Sequence, residues 1–528
     1  NLLRNNWVEN YELKNRLHFF TFAPDQIHIA MIKTADHLYL QVADNIEQLI
    51  EKEVMKIGEK LPSVRMLSKQ QGISLTTAFQ AYYHLEAKGL IESRPKSGYY
   101  IRFNSRRMPA MPGTCQPVKK ASEATVSDVV MEVFNHMRNP HVLNLSMATP
   151  PPELLPAAKM AKAVVHALRQ LPNNGIGYED LQGNRLLRGQ IARMSLAWGG
   201  AFTEDDVVTT SGCMDALTLC LTAVTQPGDT IAIESPAYYG TMQLAESLGL
   251  KVLEVPTHPV SGVDLNYLDK AIPRHKIKAC LFVTNYNNPL GSCMPDKNKK
   301  ELVGMMVKYD IALIEDDIYG DLYFTKQRPA TCKTFDKHGH VLLCNSFSKS
   351  LAPGYRVGWT MPGKYKEKVL MMKQNHSIAC ASLPQAAVGH FLEIGRYEFH
   401  LRNLRKMLHT QCLRYSQAIS EYFPESARIS RPQGGCVLWV ELEEHINTFE
   451  LFQQALKQKI SFCPGRIFSL QNKYSNCLRS CFGNAWSKQV NDGLKTWGKR
   501  SSKRSVKKKT GIRLPRPLLN LQLYYQFL

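Results

Sequence analysis

Cys344-Asn345-Ser346-Phe347-Ser348-Lys349-Ser350-Leu351-Ala352-Pro353-Gly354-Tyr355-Arg356-Val357-Gly358-Trp359 is the stretch from which the rest of the chain is read. An apolar run, His340-Val341-Leu342-Leu343-Cys344, leads into it and predicts a buried strand. A lysine just past a strand end, flanked by hydroxyls and followed by a Pro-Gly turn and an arginine, suits one chemistry well. Its amine can form a Schiff base with an aldehyde cofactor while Ser346, Ser348 and Arg356 hold that cofactor's phosphate. An isolated Ser-x-Ser-Lys would be read as an ordinary surface loop. The trailing Pro-Gly-x-Arg-x-Gly-Trp makes the longer stretch far more specific.

From about Met137 alternating strand and helix patterns predict an α/β sheet with helices on both faces. Polar residues gather at the predicted strand ends, where open α/β sheets bind ligands. Ser211-Gly212-Cys213-Met214 follows the strand 207–210 and opens a helix, whose first N–H groups attract phosphate through the main chain. Glu234-Ser235-Pro236-Ala237-Tyr238-Tyr239-Gly240 follows the strand 230–233, and Asn285 to Gly291 follows the strand 279–284. Ile311 to Tyr319 reads as a buried strand ending in acids, and a carboxylate against a pyridine nitrogen keeps that nitrogen protonated. Taken singly, Tyr238 would be a core tyrosine, Asn-Pro-x-Gly a turn, and Arg479 in the strand Cys477–Phe482 a surface ion pair.

Together these segments resemble the fold-type I pyridoxal-phosphate aminotransferases of class I/II. Nine of them fall in the family's order between about 138 and 498, including Gly434–Trp439 and Pro464–Phe468 of the small domain. The resemblance implies pyridoxal 5'-phosphate as cofactor, bound as a Schiff base on Lys349, with Asp316 rather than Asp317 on the pyridine nitrogen. These two are the implied catalytic residues. It further implies that Tyr238 stacks on the ring and that Asn288 and Tyr319 bond the phenolic oxygen. Gly212, Cys213, Met214, Ser346, Ser348 and Arg356 are the implied phosphate cradle. Tyr178, in Tyr178-Glu179-Asp180-Leu181-Gln182-Gly183, is implied to reach the phosphate of the neighbouring subunit. Arg479, with Asn288 beside it, is implied to grip an amino acid's α-carboxylate.

Ahead of this lies a different pattern. Val42, Ile46, Leu49, Ile50 and Val54 share one helical face, and Gly58 is expected to end that helix. Ser63 is a good cap for a second helix that Gly72 terminates, and Ser74 for a third, Leu75 to Lys88, with Gly89 just past its end. Leu90–Ser93 and Gly98–Ile101 read as two strands about the turn Arg94-Pro95-Lys96-Ser97. Helix, helix, turn, helix and a basic hairpin is the winged helix-turn-helix plan. Leu-Pro-Ser-x-Arg, Ser-x-Thr-Thr and Leu-Glu-Ala-x-Gly-Leu-Ile resemble the GntR family of DNA-binding domains. That resemblance implies DNA contacts by Arg65, Ser74, Thr76 and Thr77, with Lys96 and Gly98 in the wing. Leu75 and Phe79 stand where many relatives carry an arginine.

The expected architecture is therefore multidomain: an α+β winged helix-turn-helix over 31–103, a linker over 104–136, and an α/β/α aminotransferase-like domain over 137–498. The last ends in a small C-terminal α+β subdomain. Residues 1–30, with the first Met at 31, are expected to be an extension read from upstream of the start; a docking segment is the alternative. The 499–528 tail is either a nucleic-acid-binding arm or a read-through end, the second being favoured. The net charge is +21, and the tail carries nine basic and no acidic residues. Residues 60–102 carry seven basic and two acidic side chains, so a charge suited to nucleic acid is present without the tail. No apolar stretch approaches the roughly 20 residues of a membrane span, no signal-peptide pattern opens the chain, and a cytoplasmic protein is expected. Thirteen scattered cysteines without a Cys-x-x-Cys, and sixteen unclustered histidines, predict reduced thiols and no metal site.

A GntR-type head on a full aminotransferase-like domain resembles the MocR/GabR group of transcriptional regulators. The implied function is sequence-specific binding of double-stranded operator DNA, controlled by an amino acid, amine or vitamin B6-related effector at the cofactor, in a head-to-tail homodimer. A working amino acid aminotransferase carrying a DNA-binding head is the rival reading. A third treats the large domain as a dimerisation unit without cofactor.

Overall fold

A computed structural model of the chain describes residues 38–51, 54–55, 59–94, 97–101, 108–117, 120–123, 128–137, 139 and 141–509. The expectations for residues 1–30, Gly58, Lys96 and 510–528 lie outside the described residues. The head comprises α1 (Leu38–Glu51), α2 (Val64–Gln71), α3 (Leu75–Ala87) and an antiparallel hairpin of β1 (Ile91–Arg94) and β2 (Gly98–Ile101). Both serine caps form: Ser63 Oγ accepts from Met66 N at 3.2 Å, and Ser74 Oγ from Thr77 N at 3.0 Å. Ile46, Ile50, Leu67, Ala78, Ala81, Tyr82, Leu85 and Ile91 close one small core. The Tyr82 hydroxyl, drawn into that core, donates to Pro62 O at 2.7 Å. Val54 is not on the apolar face expected of it: α1 stops at Glu51, and Val54 is exposed. With the helix ended, the 3.6-residue period no longer governs where its side chain goes.

The described parts of the expected linker are packed. Ala110 O accepts from Ile429 N, Gly113 N donates to Glu441, and Lys473 reaches Gln116 O, so 108–117 runs along the small subdomain. Ser122–Glu123 pairs with Lys251–Val252 at the edge of the large sheet, and the helix Asp128–Met137 buries Val129, Val130 and Val133. A two-residue strand and a proline-rich extended run carry no period to read.

The large sheet runs, from edge to edge, Ser122–Glu123, Lys251–His258, Thr230–Ser235, Ile277–Phe282, Ala312–Asp316, Val341–Ser346, Gly358–Met361 and Val208–Thr210. The five strands from Lys251–His258 to Val341–Ser346 are mutually parallel and mostly apolar, as strands covered on both faces must be, with polar residues gathered mainly toward their carboxyl ends. Their carboxyl ends therefore lie along one rim, and the loops that leave them carry the residues named above. A second sheet, Arg428–Ile429, Val437–Glu441, Cys477–Cys481 and Cys463–Pro464, is antiparallel and forms the small subdomain. The long helix Arg396–Tyr422 runs between the two. The final helix, Lys488–Lys509, packs Val490, Leu494 and Trp497 inward and continues into the basic tail. Among the described residues no helix is long and apolar enough to cross a membrane.

The head rests on the long helix. Gly89 has a left-handed backbone (φ 74°), and a Cβ there would lie 2.9 Å from Leu413. Both facts require glycine, one for the turn and one for the approach of the two chains. Because the head core is so small, Leu85→Ala should remove about 2–5 kcal/mol from it. Amide hydrogen exchange is expected to accelerate across α1–α3 while the strands Ile277–Phe282 and Ala312–Asp316 keep their protection.

Candidate active site

The carboxyl rim and the small subdomain enclose a cavity of about 250 Å³. It brings together Cys213, Met214, Tyr238, Asn288, Asp316, Tyr319, Ser346, Ser348, Lys349, Arg356 and Arg479, residues spread over more than half the sequence. Lys349 leaves the strand Val341–Ser346 by a tight loop, and its Nζ donates to Thr149 Oγ1 at 2.8 Å. Burial lowers its pKa; the nearby Arg479 adds to this, and the neighbouring Cys436, Cys481 and Asp316 oppose it. A less protonated amine is the nucleophilic one.

Asp316 is 7% exposed, at the end of the central strand. Its Oδ1 accepts from Ile318 N at 3.1 Å and from the Cys213 thiol at 3.4 Å. Asp317 points elsewhere, onto Arg328 at 2.5 Å and Asn285 Nδ2 at 2.8 Å, so only Asp316 faces the cavity. Cys213, expected in the phosphate cradle, thus sends its side chain to Asp316, and only its main chain remains for an anion. The helix Cys213–Val224 opens after Gly212 with no side-chain cap, which leaves its first N–H groups for a ligand. Gly212 has φ 103°, and a Cβ there would collide with Arg356 Nη2. That guanidinium donates to Ser348 Oγ at 3.3 Å and to Ser211 O at 3.0 Å. Bare helix start, serine hydroxyls and arginine form a cradle for a phosphate-sized anion.

At the other wall Arg479 is only 1% exposed, lying over the Phe468 ring. It donates to Asn288 Oδ1 at 3.0 Å, to Ser146 O, and to Cys463 Sγ at 2.9 Å. Its Nε is buried and has no partner among the described residues. A buried cation with a spare donor is costly unless an anion completes it. Asn288, accepting through Oδ1, keeps its Nδ2 group as a donor. The Tyr319 hydroxyl sits 3.4 Å from Ala148 O, and the Tyr238 ring lies 4.5 Å from that of Tyr239 between centroids, tilted by 48°.

Tyr178 and Gly212 do not line the cavity. Tyr178 is 88% exposed, in the loop before the helix Arg185–Met194. The cavity also holds Met147, Ala148 and Thr149, which no motif announced, and Tyr239, Val283 and Ile318, which lie within the segments above with no role implied for them. Thr149 follows a two-residue strand, Leu143–Asn144, too short to show a period; only its place before Pro150 marks a turn. In the head, Arg65 and Thr76 are exposed, and Gly98 opens β2 with φ 105°. Ser74 and Thr77 are engaged with each other, their hydroxyls 2.8 Å apart at the start of α3.

The donor set fits pyridoxal phosphate: an amine for its aldehyde, a carboxylate for its ring nitrogen, and an anion cradle for its phosphate. Burial raises the Asp316 pKa to about 6, against the smaller opposing effects of the Ile318 and Cys213 hydrogen bonds. Without ligand, the folded chain then keeps a proton that the unfolded chain releases between about pH 4 and 6. Stability from this group therefore falls as pH rises through that window. The share is about 3 kcal/mol, and Asp316→Asn should remove it from the pH slope. Urea denaturation of both chains across the window reads this; parallel slopes would mean that Asp316 is not penalised by burial.

The aminotransferase class I and II family profile matches residues 140–494, and that of the gntR family of bacterial regulatory proteins matches residues 38–101. An uncharacterised HTH-type transcriptional regulator of Escherichia coli, YjiR, is 39% identical over 87% of this chain and 98% of its own length. A second from the same organism, YdcR, is 34% identical over 87% and 98%. Among solved structures, a multiple-substrate aminotransferase from Thermococcus profundus superposes with a TM-score of 0.67. It is 24% identical and covers 72% of this chain and 98% of its own, a likeness of fold. The chain belongs to the family of HTH-type transcriptional regulators that join a GntR head to an aminotransferase class I and II domain.

Proposed function

We propose that this chain is a cytoplasmic, operator-binding regulator that carries pyridoxal phosphate on Lys349 and answers to a small amino acid, amine or vitamin B6-related effector. The observation that carries the effector half is the spare Nε of buried Arg479, in the same cavity as the Lys349 amine. When bound, the cofactor supplies an aldehyde that takes up amines and a ring that withdraws electrons from them. The chain's own residues divide the remaining work. Gly212–Met214 amides, Ser346, Ser348 and Arg356 hold the phosphate. Asp316 holds the proton at the ring nitrogen, and Tyr238 lies against the ring. Asn288 and Tyr319 donate toward the phenolic oxygen, and Arg479 with Asn288 anchors an α-carboxylate. Tyr178, exposed on its own subunit, serves the phosphate site of a second protomer in a head-to-tail homodimer.

A working aminotransferase is the second reading, favoured by the buried Lys349 amine, which is held less basic and can move a proton at the substrate's α-carbon. A spectral titration of the purified protein with amino acids and pyridoxal derivatives, with and without its promoter DNA, separates the readings. Regulation is expected to appear as an effector-dependent change in operator affinity with little keto acid formed. Steady keto-acid production with operator affinity unchanged favours the enzyme. Lys349→Ala should abolish the visible absorbance of bound cofactor; an unaltered spectrum would rule out the covalent anchor. Arg479→Lys should weaken amino acid binding about 10- to 100-fold, the value of a charge-assisted pair. Simple amines, lacking the carboxylate, should lose far less.

A further inference from the structure

The outward face of α3 has a chemistry that the general DNA-binding reading does not use. Ala78, Ala81, Tyr82 and Leu85 turn into the head core. Leu75, Thr76, Phe79 and Gln80 turn to solvent, one turn apart in two pairs, as 3.6-residue spacing requires. Leu75 is 54% exposed and Phe79 51%. The C-terminal half of the same helix is occupied: Tyr83 lies under Lys406 of the long helix, with 4.5 Å from Nζ to the ring centroid. The free surface is therefore the N-terminal half, the part of a recognition helix that meets base edges.

That surface carries no Lys, Arg, Asp or Glu. In the major groove, guanine is read by Arg or Lys, cytosine by Asp or Glu, adenine by Asn or Gln, and the thymine methyl by apolar side chains. Arg65 and Lys69, exposed on the preceding helix α2, supply charge for phosphates. We infer that α3 reads A·T pairs: Leu75 and Phe79 pack on the C5 methyl groups of thymines, and Gln80 takes an adjacent adenine. The occupant of this apolar face is thus a thymine-bearing stretch of duplex in each half-site. The inference rests on the DNA-binding reading and names what that reading leaves open.

The test uses the full chain. Duplexes selected from a random pool define a half-site, and binding is measured by fluorescence anisotropy on that duplex and on versions with uracil in place of single thymines. Uracil keeps the base pair and removes only the methyl. Loss of about fourfold in affinity is expected at each contacted thymine, the value of burying one methyl-sized group. Phe79→Ala should weaken the thymine duplex by a similar factor and become indifferent to uracil at one position. Its surface location means that the fold should persist, which far-UV circular dichroism checks. Sequence-specific binding indifferent to every uracil, or a selected half-site with guanines essential beneath α3, overturns the inference and leaves the regulator reading intact. A change in oligomeric state of Phe79→Ala with undiminished DNA affinity assigns the patch to a protein interface, and also overturns it. If no duplex is retained above salt-sensitive background, both readings fall together.

Discussion

Three consecutive carboxylates at the end of the central strand, Glu315, Asp316 and Asp317, constrain everything around the cavity. Strand geometry sends alternate side chains to opposite faces, so the outer two go one way and Asp316 the other. Glu315 is satisfied by Thr284 Oγ1 at 2.5 Å and the N–H groups of Cys332 and Lys333 at 2.7 and 3.0 Å. Asp317 is satisfied by Arg328, which also binds Asp321 at 2.7 Å. Such saturation is what allows a charge to stay buried. Asp316 has one N–H and a thiol, a thinner set. Of the three, it is the one left with unmet demand, and it is the one that faces the cavity.

The same network reaches the head. The Tyr397 hydroxyl lies 3.0 Å from Asp321 Oδ2 and 2.7 Å from Ser350 Oγ, while His400 Nε2 sits 2.8 Å from Ser350 O. Ser350 is the residue after Lys349, and both partners belong to the first turns of the long helix Arg396–Tyr422. Further along, that helix presents Lys406 to Tyr83 and Leu413 to Gly89 of the head. The lysine loop and the head thus touch one continuous helix, at points about 9 to 24 Å apart along its axis. Beside this narrow contact lies an open cleft of about 590 Å³, between Tyr83 and Glu86 on one side and Tyr323, Lys326 and His409 on the other. Among the described residues, the head meets the long helix at Tyr83 and Gly89.

The parts legible in the sequence were those with a local cause. Ser63 and Ser74 cap because their hydroxyls reach N–H groups three residues on, and the buried parallel strands declare themselves as apolar runs. Asp316 could be chosen over Asp317 by resemblance; the alternation that separates them is also a local rule. What stayed hidden depends on distant partners. Thr149 becomes a neighbour of Lys349 only once the chain returns after 200 residues, and Cys213 turns to Asp316 across a separation of 103. The segment 108–117 looked unstructured because its hydrogen bonds go to the small subdomain, more than 300 residues away. No window on the sequence contains both ends of such contacts.

Arg479 shows why a complete site does not decide between sensing and turnover. Its burial is tolerable because Ser146 O, Asn288 and Cys463 share its donors, and its Nε is left for the oxygen of an anion. A sensor and an enzyme both need that anchor, and both need a Lys349 amine made less basic by burial. They differ in the fate of the ligand once it is bound. A ligand shifts a regulator only by its differential affinity for two states, and only while it stays bound. Rapid proton movement by Lys349 would consume the signal; slow movement would preserve it long enough for the head to re-equilibrate on DNA. The residues that hold the ligand are therefore common to both activities. The distinguishing constraint is kinetic, and the GntR head is the structural reason for slow chemistry to be the useful kind.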